Sequence, residues 1–356
     1  MISRATLFST PGGDTIQVCG TAEHLRRLGI DVDIRLADEN NIDYSQYDLL
    51  HLFNLIRPND LLKHALQSGK PYVLSTIYVD YYEYEVNVRG GVSKIFLKLF
   101  GRFGAEYIKV LGRAVKNGEK IVSRSYLWQG QRKAMINLAL GASYLLPNSL
   151  SEMRRIELLL GMTNKYKVIP NGIDEELFAE PLRKTNRQGV ICVARIEGRK
   201  NQLNLIQAMN GLDIELVIVG RPSPNHQLYY NECRSIAGAN VKFLDHMPQA
   251  ELRQLYAAAK VHILPSWFET TGLSSLEAAI MGCNIVVTRK GDTEEYFGNL
   301  AVYCEPDNIE SIKGAIMEAY NKPNSELTRL RIAKHFTWKI AATKTLEVYK
   351  SVLGRC

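Results

Sequence analysis

Two acidic residues in the segment PSWFETTGLSSLEA, Glu269 and Glu277, stand on either side of Gly272, where a strand-like run gives way to a helix-like one. A helix that begins near Thr271 or Gly272 turns its first unpaired N–H groups toward the loop, and such groups hold phosphate oxygens. Glu269 then lies just outside the helix and Glu277 in its second turn. One carboxylate reaches a polar substrate beyond the phosphates, while the other accepts hydrogen bonds from hydroxyls such as those of a ribose. From spacing alone, the other reading is a capping or surface acid at Glu269 and a solvated helix acid at Glu277.

A second constellation is ARIEGRKN, which puts Arg195, Arg199 and Lys200 directly after an apolar strand. Arg grips a diphosphate with a fixed fork and Lys adds a compact charge, so together they neutralise an anion whose departure needs charge stabilisation. A solvated basic turn is the other reading. Gly220 in VIVGRP permits close approach to a ligand, or simply ends a strand. Pro170, Asn171 and Gly172 read as a turn.

The elements that must position these residues alternate. RATLFST is followed by PGGD and a helix-like run from Thr15, for which Asp14 is the expected cap. Strand signals follow in VDIRLA, YDLLHLFNL and KPYVLSTIYV. The second half is more regular: GVICVAR, IELVIVG, NVKFLD, KVHILPS and NIVVT are apolar strands, each followed by a helical pattern. Repeated strand–helix units predict parallel sheets covered on both faces, with ligands beyond the carboxyl ends of the strands. The loops after Ala194, Gly220, Leu244 and Pro265 are therefore the expected binding edge.

Taken together, VIPNGID, ARIEGRKNQLNLIQA, VIVG, ILPSWFETTGLSSLEA and GDTEE, in this order and approximate spacing, resemble the retaining family 4 glycosyltransferases. The resemblance covers nearly the whole chain and is strongest from Val168 to Glu295. It implies an α/β chain of GT-B architecture, two Rossmann-like domains facing across an interdomain cleft. It also implies transfer of a hexose or hexose derivative from a nucleoside-diphosphate sugar to a hydroxyl of a glycan or lipid-linked acceptor, as in surface polysaccharide biosynthesis. Carried onto this sequence, Glu277 becomes the ribose-binding acid and Glu269 the acid beside the donor sugar. Arg195 and Lys200 become the diphosphate-binding pair, and Gly272 and Leu273 offer backbone N–H groups to phosphate. Leu244 and Asp245 fall where the nucleobase is met, Glu295 follows the late glycine turn, and Gly12 and Gly13 fall where a glycine loop nears the donor phosphates.

Two positions depart from the family pattern. Asp245 replaces a usual glycine, and the strand end YVLSTIYVD has Tyr78 and Asp80 where many members have a histidine. His51, at another strand end, either serves the acceptor side or is structural. A sugar-nucleotide epimerase of the same architecture and a noncatalytic nucleotide-sugar-binding assembly protein are the alternatives. A dinucleotide oxidoreductase is not supported, because PGGDT lacks G-x-G-x-x-G spacing.

The expected division is 1–165 for an acceptor-side domain, 166–337 for a donor-binding domain, and 338–356 for a helix crossing back to the first. The chain has 356 residues and a formal charge of +7, with 46% hydrophobic and 23% charged residues, which excludes disorder and fibre. Between Glu85 and Met135, eleven Lys or Arg residues meet three acidic ones. There, Lys94, Lys98 and Arg102 mix with Ile95, Phe96, Leu99, Phe100 and Phe103, so residues 94–133 suit either an anionic membrane surface or a helix with a solvated basic face. No nucleic-acid-binding module accompanies the charge. The six scattered cysteines read as free thiols. With no leader pattern and no apolar span, a cytoplasmic protein, peripheral on the inner membrane face, is expected. No cofactor is expected, and the seven dispersed histidines suggest no metal site.

Overall fold

The computed structural model describes residues 1–79, 84–85, 92–178, 186–324 and 326–355, with side chains for all of these except 92–98 and 117. The chain divides into two units, Met1–Pro170 together with Trp338–Cys356, and Asn171–Thr337.

Unit 1 contains a parallel five-stranded sheet of β1 (Ile2–Ser3), β2 (Arg35–Leu36), β3 (Leu50–Phe53), β4 (Tyr72–Ser75) and β5 (Tyr144–Leu146). The spatial order is β2-β1-β3-β4-β5. Its helices in the first stretch are α1 (Gly13–Arg27), α2 (Pro58–Gln67), α3 (Val92–Asn117), α4 (Arg124–Leu140) and α5 (Leu150–Leu160). Every residue of β3 and β4 is buried, so LHLF and YVLS need no polar alternation.

The run RATLFST is not a strand beyond Ser3. Arg4 leaves the ladder and fills its guanidinium with local oxygens, those of Thr6, Thr10 and Asp14. Local side-chain bonds of this kind compete with strand pairing. They also move Asp14 from its expected capping role: the N-cap is Gly12, whose N–H donates to Thr15 Oγ1 at 3.0 Å, and Asp14 lies inside the helix, bound to Arg4 at 2.6 and 2.9 Å.

Unit 2 contains β6 (Val190–Val193), β7 (Leu216–Val219), β8 (Val241–Leu244), β9 (Val261–Leu264), β10 (Asn284–Thr288) and β11 (Ala301–Cys304). All are parallel, in the order β11-β10-β9-β6-β7-β8. The helices are α6 (Gln202–Met209), α7 (Gln227–Ile236), α8 (Gln249–Ala258), α9 (Leu273–Ile280), α10 (Thr293–Phe297), α11 (Ile309–Asn321) and α12 (Glu326–His335). Ile191, Ile218, Ile263 and Val286 belong to one core with Leu205, Leu276 and Ile316. The winding reverses between β6 and β9, and a crevice opens where the connections of two adjacent strands part. In unit 1 the same reversal falls between β1 and β3.

The final helix, α13 (Trp338–Leu353), belongs to unit 1. The Trp338 indole lies so close over Gly20 that an added Cβ would come within 2.7 Å of it.

Candidate active site

At the unit 2 switch point, Lys200 Nζ meets Glu269 Oε2 at 2.5 Å. Lys200 ends a 3-10 turn, Gly198–Lys200, that follows β6, and Glu269 follows β9. Ser266 Oγ donates to the same carboxylate oxygen at 3.1 Å, and Glu269 is only 8% exposed. Its backbone is fixed from β10: Glu269 N donates to Lys290 O, and Asp292 N donates to Glu269 O, both at 2.9 Å. Gly291 makes this possible, since with φ of 115° a Cβ there would sit 2.0 Å from the Glu269 carbonyl oxygen.

Gly272, in the left-handed conformation, is the N-cap of α9, and Leu273 is its first residue. The helix thus begins four residues after Glu269, with its positive end toward the crevice. Thr271 in the approach accepts Asn171 Nδ2 at 3.0 Å and lies 3.1 Å from the Tyr296 hydroxyl, so the PNG turn braces this loop. Glu277, one turn further in, accepts Gln249 Nε2 at 2.5 Å and the Tyr256 hydroxyl at 3.0 Å. Burial pushes its pKa up to about 7, against the lowering effect of those two donors.

Around these groups stand the remaining expected residues of this unit. The half-exposed Arg195 lies 3.8 Å from Glu197. Gly220 brings the end of β7 against β6, where a Cβ would meet the Ala194 carbonyl oxygen at 2.0 Å. Leu244 is exposed, and Asp245 pairs with Arg221 through two contacts of 2.5 and 2.8 Å. Glu295 lies in α10, where its carbonyl accepts Arg331 Nη2 at 3.0 Å. Glu197, which spacing did not single out, is a buried acid enclosed by Arg199, Arg195 and Ser223.

In unit 1, Gly12 and Gly13 open α1 in the loop that Arg4 holds. His51 is buried with both ring nitrogens engaged, Nδ1 with the Tyr349 hydroxyl at 2.7 Å and Nε2 with Ser75 Oγ at 2.8 Å. It ties α13 to the sheet. Tyr78 is buried, and its N–H donates to Glu152 Oε1 at 2.6 Å. Asp80 lies outside the described residues. Beyond β1 and β3 a cavity of about 660 Å³ is lined by Thr6, Thr10, Arg57, Asn59, Arg113 and Gln131 among others. Neither Arg57 nor Gln131 stands in a recognisable motif, so nothing in the sequence pointed to it.

Among the described residues no group of three or more His, Cys, Asp or Glu is placed to hold a metal ion, and Cys19, Cys192, Cys233, Cys283 and Cys304 are free thiols. Among the same residues, no helix is long and apolar enough to cross a membrane.

Residues 173–335 match the family model described as glycosyl transferases group 1. The second unit belongs to this family. Over 171 residues the chain is 27% identical to O-antigen chain mannosyltransferase B of Escherichia coli, 45% of either sequence. Over 196 residues it is 29% identical to glycogen synthase of Mycobacterium tuberculosis (strain CDC 1551 / Oshkosh), 51% of this chain and 47% of the other. The chain spans about half the length of these relatives. Sucrose-phosphate synthase from Thermosynechococcus elongatus has a similar structure, with TM-score 0.74 at 15% identity over 96% of this chain and 94% of that one. Anabaena HepE, solved with UDP and glucose, gives 0.68 at 18% identity over 98% of both. At these identities the likeness is one of fold, and the fold is GT-B, with two Rossmann-like units. The glycosyl transferases group 1 unit therefore begins just after the PNG turn and includes both the Lys200–Glu269 contact and α9.

Proposed function

We propose that the chain is a retaining glycosyltransferase that moves a hexose or hexose derivative from a nucleoside-diphosphate sugar to a hydroxyl of a glycan or lipid-linked acceptor. The observation that carries this reading is the Lys200–Glu269 contact at the switch point, beside the N-terminus of α9. Unit 2 is the donor side and unit 1 the acceptor side. The names of the relatives, an O-antigen chain mannosyltransferase and a glycogen synthase, and the UDP and glucose held by HepE, support it.

In this reading Glu277 accepts hydrogen bonds from the ribose, and Leu244 and Asp245 border the base. Arg195, Lys200 and the N–H groups after Gly272 bind the diphosphate, with Gly220 and Glu295 at the margins of the pocket. The bond from the anomeric carbon to the diphosphate oxygen breaks, and the acceptor hydroxyl oxygen bonds to that carbon on the same face. Its proton passes to the departing phosphate oxygen. Arg195 and Lys200 stabilise the charge that grows on the leaving group, while Glu269 positions the sugar. These cations provide countercharge without a metal. In unit 1, Gly12 and Gly13 are the candidates that approach the donor phosphates and Tyr78 is the acceptor-side candidate, while the cavity beyond β1 and β3 adds Arg57 and Gln131.

Surface polysaccharide assembly at the inner membrane face fits the exposed Leu99, Phe100 and Trp128, which share residues 94–133 with a basic excess. The partner is an anionic lipid surface and not nucleic acid.

A donor-by-acceptor screen with mass and linkage analysis tests the function. An α-linked product from an α-linked donor is expected. A β-linked product rejects retention, an epimer formed without acceptor points to an epimerase, and donor binding without any transfer points to an assembly protein.

A further inference from the structure

Glu197 holds a negative charge that no step of the transfer uses, at a place where negative charge is a disadvantage. It lies in the turn between β6 and α6 with its side chain 3% exposed. Arg199 Nη2 stands 3.0 and 3.2 Å from its two carboxylate oxygens, Ser223 Oγ donates at 2.8 Å, and Arg195 Nη2 is 3.8 Å away. Ser223 belongs to the loop after β7. The same two loops are stitched by backbone bonds, Ile196 N donating to Arg221 O at 2.8 Å and Ser223 N donating to Ile196 O at 3.1 Å. Burial alone would raise the Glu197 carboxyl, but Arg199, Arg195 and Ser223 overcome it and hold the pKa at about 2. Glu197 is therefore an anion throughout any neutral assay.

By Coulomb's law a buried anion next to a diphosphate site weakens binding. A compensating gain comes from order. Long cationic side chains lose rotamer freedom when they grip a ligand, and a group that fixes them beforehand removes that cost. We infer that Glu197 is a positioning residue for diphosphate recognition: its carboxylate locks the Arg195–Lys200 turn onto the loop after β7, so that Arg195 and Lys200 are set for the two phosphates. This rests on the donor-site reading above and adds to it a residue that touches no substrate.

The two effects have opposite signs in Glu197→Gln, which keeps the shape and removes the charge. Loss of the anion alone tightens diphosphate binding; loss of the positioning group loosens it. The experiment measures, on the full chain, affinity for UDP, GDP and ADP and for uridine, guanosine and adenosine, by calorimetry or ligand-observed NMR. For the diphosphate that the unsubstituted protein prefers, Glu197→Gln is expected to weaken binding about tenfold, with the matching nucleoside unchanged within about twofold. Ser223→Ala is expected to act in the same direction by a smaller factor. In an Arg195→Ala background, Glu197→Gln should cost clearly less than in the native one, because the two residues then no longer act through each other.

Unchanged or tighter diphosphate binding in Glu197→Gln overturns the inference. Equal weakening of diphosphate and nucleoside also overturns it, since that is what general loosening of the unit produces. If Glu197→Gln does not fold, Ser223→Ala carries the comparison, and equal affinities there overturn it. If the unsubstituted protein binds none of the three diphosphates, the donor-site reading itself fails and this inference with it.

Discussion

Lys200 and Glu269 neutralise each other across the point where the winding of unit 2 reverses, although 69 residues separate them in the chain. Each comes from a different strand end, so the contact records the meeting of the β6 and β9 loops. A mostly buried ion pair of this kind is weak evidence for stability, because desolvation offsets much of the attraction. Its value is placement. A cation, a carboxylate and the start of α9 are held within one crevice, ready for a ligand with both phosphates and hydroxyls.

Gly291→Ala tests how firmly Glu269 must be placed. With φ of 115° and only 2.0 Å between an added Cβ and the Glu269 carbonyl oxygen, the alanine variant must shift the Glu269 backbone. Displacement of a substrate-positioning group by about 1 Å can cost on the order of 100-fold in rate. We expect kcat/KM for the donor to fall at least about tenfold while far-UV circular dichroism is retained. Native kinetics in this variant would contradict the fixed geometry.

The Glu277 carboxyl makes stability depend on pH in a definite direction. Burial raises it from 4.5 to about 7, so the folded unit keeps a proton that the unfolded chain releases first. Its contribution is complete below pH 4.5 and is lost as pH rises through about 7, a span of order 3 kcal/mol. Thermal melts of Glu277→Gln should therefore fall less between pH 5 and 8 than those of the native chain. An identical fall excludes Glu277 as the titrating group.

His262 acts in the opposite sense. It lies in the middle of β9, fully buried, and neither ring nitrogen has a hydrogen-bond partner. Burial lowers its pKa from 6.5 to about 3, so the unfolded chain gains a proton first as pH falls. Stability present above pH 6.5 is lost progressively down to about pH 3. His262→Leu removes both the proton uptake and two unpaired polar atoms, with an expected gain of about 1 to 3 kcal/mol that grows toward acid pH. A gain that does not change between pH 8 and pH 5 would show that the imidazole does not titrate on unfolding.

Trp128 is 91% exposed, with Arg124 and Arg132 four residues to either side in α4. Sedimentation with phosphatidylserine-containing vesicles should carry the protein down, and pure phosphatidylcholine should not. Trp128→Ala should reduce the bound fraction several-fold, an aromatic ring at the headgroup level being a large part of such an anchor. Equal binding to both lipids, or to neither, contradicts a basic and aromatic docking face.

Sequence made the second unit legible because its inner strands β6, β7, β9 and β10 are largely buried on both faces. GVICVAR, IELVIVG and KVHILPS are nearly uninterrupted apolar runs, and the chemistry sits in the loop that follows each. Unit 1 was less open to reading. RATLFST and VDIRLA look like strands, yet the first holds no strand residue, β1 ending before it at Ser3 where Arg4 turns away to reach Asp14, and the second pairs only over Arg35 and Leu36. The basic run read as one amphipathic element is broken in α3 at Gly101 and in α4 at Gly130, both at positive φ. Glu197 and His51 show a further limit. Spacing shows that Glu197 lies between two arginines, but only the approach of Ser223 from another strand reveals it as buried; His51 gave two readings until Tyr349, almost three hundred residues later, closed its second nitrogen.

The most direct measurement is glycosyl transfer by Glu269→Gln, with the donor and acceptor found in the screen, against the native chain. The substitution keeps the side chain's shape and removes the charge that faces Lys200 and, in the proposed reading, the donor sugar. The account predicts that kcat/KM falls by about 100-fold or more while far-UV circular dichroism at the assay temperature stays that of the folded native protein. Unaltered kcat/KM would contradict the placement of the donor sugar beside Glu269.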